Sequence, residues 1–75
     1  MQSFIILTMI QVTVNGTAHR FETPLDIRAM LEKLSMAGKK VAVERNGEIV
    51  PKSLHPRVVL ADGDRLEIVV AVGGG

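Results

Sequence analysis

One stretch of this chain carries a helical period, and that limits the fold more than any other feature. Ile27, Met30, Leu31 and Leu34 fall at i, i+3, i+4 and i+7, one face of a helix, with Arg28, Glu32 and Lys33 on the opposite face. Thr23-Pro24-Leu25-Asp26 reads as the start: Thr23 caps, Pro24 takes the first helical position, and Asp26 stands where a capping-box acid belongs. Gly38 supplies the stop. A single helix has a single apolar face to bury, so it must cover one face of a single sheet.

The remaining elements read as strands. Ile10 to Val14 alternates apolar and polar, Asn15-Gly16 is a tight hairpin turn, and Thr17 to Glu22 returns with Phe21 inward. Val41 to Glu44 is a third strand. Asn46-Gly47 turns again, Glu48-Ile49-Val50 is a short extended piece, and Pro51 ends it. Residues 52–58 are irregular, and Val58-Val59-Leu60 packs beneath that loop. Asp62-Gly63-Asp64 is a turn, and Arg65 to Val72 is the last strand. The order is strand, strand, helix, strand, strand: a small α+β domain with one helix on one sheet.

With 75 residues and no cysteine, the chain has neither disulfides nor thiolate chemistry to draw on, and packing must hold it. The apolar share of 47% makes that feasible, and with Phe4 and Phe21 the only aromatics the core is aliphatic. The formal charge is +1 with acids and bases interspersed, and no basic block or base-stacking aromatics point to nucleic acid. His19-Arg20 and Lys39-Lys40 read as solvated surface. Phe4-Ile5-Ile6-Leu7 is too short to span a membrane and lacks the flanks of a signal peptide. Strand-like alternation starts after Met9, a second candidate start. Residues 1–8 read as either a lengthened first strand or, the preferred reading, a dispensable extension, apolar enough to pair with a neighbouring chain.

No constellation for catalysis stands out. His19 and His55 are lone histidines without a partner at metal-ligand spacing and read as surface residues. Asp62 and Asp64 are too few ligands for calcium. The expected answer is not an enzyme, with no metal and no bound cofactor. What remains is the ending. Leu66, Ile68, Val70 and Val72 share the core face of the last strand, which runs directly into Gly73-Gly74-Gly75. Val69 and Ala71 on its other face read as the second apolar face of a central strand and, compatibly, as part of an exposed patch beside the tail where a partner docks, with Val72 beside it. Three residues without Cβ make a thin tail that can thread a narrow channel and present its carboxylate to a buried reactive centre.

Three stretches carry a resemblance to a known family. Val41-Ala42-Val43-Glu44-Arg45-Asn46-Gly47-Glu48-Ile49-Val50-Pro51, then Leu60-Ala61-Asp62-Gly63-Asp64-Arg65-Leu66-Glu67-Ile68-Val69, then Val72-Gly73-Gly74-Gly75 resemble the ThiS family of ubiquitin-like sulfur carriers. The resemblance covers residues 9–75 and leaves residues 1–8 outside. The Asn-Gly-Glu-Ile-Val-Pro stretch favours this branch, whereas the terminal diglycine is common to its relatives. It implies a β-grasp fold in which the last strand runs parallel to the first at the centre of a mixed sheet. It implies that the Gly75 carboxylate is adenylated by an E1-like adenylyltransferase using ATP and becomes a thiocarboxylate with the help of a sulfur-donating enzyme. A thiazole synthase would then take the sulfur for thiamine biosynthesis. On this reading Gly73 and Gly74 thread the partners' sites, and the location is cytoplasmic, with no membrane and no nucleic acid as partner. The alternatives are the small subunit of molybdopterin synthase, a protein modifier joined to lysine, and a β-grasp adaptor with an idle tail.

Overall fold

The computed structural model describes residues 9–71. The extension 1–8 and the tail residues Val72, Gly73, Gly74 and Gly75 lie outside the described residues. Within them the chain forms β1 (Ile10–Val14), β2 (Thr17–Phe21), α1 (Ile27–Lys33), β3 (Val41–Arg45), β4 (Glu48–Val50) and β5 (Arg65–Val70), with a 3-10 turn over Lys52–Leu54. The five strands lie in the order β2-β1-β5-β3-β4. β1 and β5 are parallel, and every other neighbouring pair is antiparallel. This is a β-grasp fold, with the last strand between the first and third as expected. Glu48–Val50 is more than an extended piece. It pairs with β3 from Val43↔Val50 to Arg45↔Glu48, so the sheet has five strands.

Both hairpins turn on Asn-Gly. Asn15 and Asn46 sit at φ +50° and +53°, and Gly16 and Gly47 follow at +84° and +89°. Two successive left-handed residues match the twist of the flanking strands, and asparagine tolerates that region better than other side chains.

The helix starts and stops elsewhere than expected. Asp26, not Thr23, is the N-cap, and its carboxylate accepts the Ala29 N–H at 2.8 Å. The reason is tertiary. Leu25 accepts the Leu60 N–H, Asp26 bridges Val59, and Ile27 donates to the Val58 carbonyl. That pairing keeps residues 25–26 extended, and the helix begins only after them. At the other end Leu34 is the C-cap, and Ser35 takes the left-handed conformation at φ +62°. Met36 N–H reaches back to Leu31 and Ser35 N–H to Glu32, the paired bonds of a Schellman ending. Gly38, at φ +85°, serves a later turn rather than the helix stop. A residue with a Cβ is strained at Ser35. Replacing Ser35 with Gly is therefore expected to raise stability by about 0.5–1 kcal/mol, the strain relieved less the entropy glycine adds to the unfolded chain. A urea titration reads it as a higher midpoint at unchanged slope.

The core lies between α1 and one face of the sheet. Ile27, Met30 and Leu31 pack on Val12, Val43 and Leu66, with Ile10, Val14, Leu60 and Ile68 completing it. Leu60 is the buried member of the run Val58-Val59-Leu60, whereas Val59 faces solvent. The core side of β5 ends at Ile68. Val70, expected inside, is 42% exposed.

Candidate functional site

β5 sets where the tail departs. It is hydrogen-bonded to β3 from Val41↔Val70 through Arg45↔Leu66, and one further bond, Ala71 N–H to the Lys40 carbonyl at 2.8 Å, holds the last described residue. The chain thus remains tied to the sheet centre up to Ala71, four residues before Gly75. Whatever Gly73, Gly74 and Gly75 do, they depart from a fixed point.

Two open readings of β5 are settled by burial. The strand is central, flanked by β1 and β3, yet among the described residues only one of its faces is covered. Val69 is 64% exposed and Ala71 is exposed. Val69 stands opposite Ala42 on the face away from α1, and by alternation Ile49, opposite Glu44, shares that face. Ala42 and Ile49 are exposed as well. The result is an apolar surface beside the departing tail, with Glu44 and Glu67 next to it. Val69 and Ala71 also line an open hollow with Val41, Ala42, Lys39 and Lys40. Sequence reasoning singled out Val69 and Ala71 but missed Ala42 and Ile49. Their signal was the alternation of β3 and β4 against a sheet with a single helix to cover it.

The start of β5 is fixed by a polar network that the sequence concealed. Asp64, read as an ordinary turn acid, is 6% exposed. Its carboxylate accepts the Arg45 Nε–H at 2.8 Å, the Asn46 Nδ2–H at 3.0 Å and the Ala61 N–H at 2.9 Å. Asn46 Oδ1 in turn accepts the Arg65 N–H at 2.8 Å. Asp62 is used too, its Oδ1 accepting the Gln11 N–H at 2.8 Å. Burial pushes the Asp64 carboxyl up, but the three donors and the Arg45 charge outweigh it and hold its pKa below the ordinary aspartate value of 3.8. A depressed folded-state pKa contributes stability above the unfolded-state value and loses it as the pH drops through the folded one. Asp64→Asn is expected to cost about 1.5–3 kcal/mol at neutral pH, the range for hydrogen bonds to a charged group. The gap to the native chain should narrow below pH 3.8 as the native carboxylate protonates. Urea titrations of both proteins across that range check it, and a gap independent of pH contradicts the account.

The histidines differ from expectation in one case. His55 is not a surface residue: it is 6% exposed, and its ring Nε2 lies 3.1 Å from the Val50 carbonyl, fastening the 3-10 turn to the end of β4. His19 is half-buried and stacks on Phe21 with ring centroids 6.5 Å apart. No group of three His, Cys, Asp or Glu side chains fit to hold a metal occurs among the described residues. No helix among them is long and apolar enough to cross a membrane.

Known proteins share this arrangement. A thiamine biosynthesis protein (ThiS) from Geobacter metallireducens, solved by crystallography, superposes with a TM-score of 0.75 at 30% identity, covering 88% of this chain and all of that one. The sulfur carrier protein ThiS of Bacillus subtilis is 45% identical over 49 residues, 65% of this chain and 74% of that protein. A thiazole synthase of Paramagnetospirillum magneticum is 46% identical over 65 residues, 87% of this chain, which spans only 20% of that protein's length. The ThiS family itself matches over residues 9–75, from the first residue the structure describes through the triple glycine, and on that match the chain belongs to the ThiS family.

Proposed function

We propose that this chain carries sulfur on the carboxylate of Gly75 for thiazole formation in thiamine biosynthesis. The observation that carries the reading is the central strand β5, paired through Ala71 and leading into Val72 and the three glycines, in a chain of the ThiS family. The other described groups favour it by what they already do: Asp64 and His55 are engaged in holding loops.

The chemistry needs two displacements, both made on partner proteins. A Gly75 carboxylate oxygen attacks the α-phosphorus of ATP, and pyrophosphate leaves. The resulting acyl adenylate has AMP as a good leaving group. A hydrosulfide ion released by a sulfur-donating enzyme then attacks the carbonyl carbon, the bond to AMP breaks, the sulfur-bound proton is lost to solvent, and a thiocarboxylate remains. This chain contributes a reagent rather than a catalyst. Gly73 and Gly74 add no side chain to the tail, and the apolar face of Val69, Ala42 and Ile49 seats the domain on an E1-like adenylyltransferase while the tail reaches the nucleotide. A thiazole synthase is the acceptor this reading names, in keeping with relatives that bear that name.

Pyrophosphate release from ATP, measured with an E1-like adenylyltransferase, tests the first step. Release that depends on the native chain supports the reading, and none contradicts it. A lasting conjugate to a lysine would instead mark a protein modifier. The docking face makes a separate expectation. Val69→Ala should change stability by less than about 1 kcal/mol, since the side chain buries little. It should raise the KM for the chain in adenylation by about tenfold, the loss of about 1.4 kcal/mol of contact. An unchanged KM removes Val69 from the interface.

A further inference from the structure

Asn15 serves more than its turn. The parallel pairing of β1 with β5 ends at Val14↔Leu66, where β1 bends into the hairpin. Up to that point the ladder is regular: Thr13 N–H donates to the Asp64 carbonyl and Asn15 N–H to the Leu66 carbonyl. The next step of such a ladder requires an acceptor at residue 15 for the Ile68 N–H and a donor at residue 17 for the Ile68 carbonyl. The backbone supplies neither, because residue 17 already belongs to β2. The Asn15 side-chain amide supplies both. Its Oδ1 accepts the Ile68 N–H at 2.7 Å, and its Nδ2 donates to the Ile68 carbonyl at 3.1 Å. One side chain therefore extends the pairing of β5 by a full step toward the tail.

We propose that Asn15 is a positioning residue for the reaction at the terminus. Its amide holds β5 at Ile68, so that Val69, Val70 and Ala71 run on in one direction and the tail enters the adenylating site aimed. Asparagine is suited to this place. It accepts φ +50°, and its planar amide carries donor and acceptor side by side as a peptide group does. Aspartate offers two acceptors and no donor, and glycine offers neither. The proposal rests on the reading that the Gly75 carboxylate is the reacting group.

The test compares the native chain with Asn15→Gly, which keeps the left-handed turn and loses the amide, and Asn15→Asp, which keeps the acceptor alone. Asn46→Gly at the other turn is the control, because Asn46 holds β5 at its start, by Arg65. Amide hydrogen exchange of the isolated chain reads the clamp, and steady-state adenylation by the E1-like enzyme reads its consequence. For Asn15→Gly the Ile68 amide should exchange at least about tenfold faster. Its kcat should fall about tenfold with the KM for the chain held within about twofold, since the docking face is intact and only the aim is lost. Asn15→Asp should lie between it and the native chain. Asn46→Gly should lower stability and leave kcat unchanged. A folded Asn15→Gly with native kcat overturns the proposal, and so does an equal kcat loss in Asn46→Gly, which would mean general loosening of the strand. If the native chain is not adenylated at all, the functional reading fails and takes the positioning role with it, even where exchange at Ile68 shows the clamp.

Discussion

Removing Gly74 and Gly75 is expected to leave the fold intact and abolish adenylation. Among the described residues none of the buried ones lies beyond Ile68, and the last backbone bond described belongs to Ala71. Circular dichroism and the urea midpoint should therefore match the native chain. The activity loss should be complete rather than partial. A shortened chain presents its carboxylate on Gly73, roughly 7 Å short of the original at about 3.3–3.6 Å per residue, and displacement at phosphorus does not tolerate such a gap. A truncated chain that is still adenylated would rule out the terminus as the reagent.

The second large effect is on stability. Ile68 is 5% exposed, lies on β5 facing α1, and shares the core with Leu66, Val43 and Met30. Ile68→Ala removes its buried methyl and methylene groups from a packed site. It is expected to cost about 2–5 kcal/mol. A domain of this size with no disulfide has about 3–5 kcal/mol in all. The variant should be largely unfolded at 37 °C, whereas Val69→Ala, one residue away on the open face, should fold normally. Thermal unfolding of the two side by side checks this, and equal losses would mean the two faces of β5 are not as different as their burial says.

That contrast shows how far the sequence could be read. The positions at i, i+3, i+4 and i+7 in the helix, the two Asn-Gly turns and the alternation of β1 and β5 are local patterns, and each was legible. What escaped depends on which distant segments meet. Asp26 displaced Thr23 as the cap because Val59 pairs with it across 33 positions of chain, and no local propensity records that. Ser35 rather than Gly38 ends the helix, a place a serine seldom signals because a left-handed serine is uncommon, although Leu31 and Met36 spell the hydrophobic pair of a Schellman ending. His55 read as a surface residue because its acceptor, the Val50 carbonyl, carries no side-chain signal. Asp64 read as a turn acid because the carboxylate's partners, Arg45 and Asn46, lie on another hairpin.

The candidate site divides the same way. Val69 and Ala71 were recognised as the second apolar face of a central strand and as candidates for an exposed patch, and the structure leaves both exposed. The role of Asn15 was hidden inside a strong turn motif, which explained the residue type so well that a second role left no trace in the pattern. Both turn asparagines are engaged with β5, the strand that carries the tail.

The central claim is that sulfur rides on the terminal carboxylate, and intact mass tests it most directly. The native chain is incubated with ATP, a sulfur source and its E1-like adenylyltransferase, and weighed. The account predicts a mass increase equal to the exchange of one oxygen for one sulfur, located by fragmentation at Gly75 and absent without ATP. A chain that returns at its original mass from a reaction in which the adenylyltransferase is active, or gains sulfur anywhere but Gly75, contradicts it.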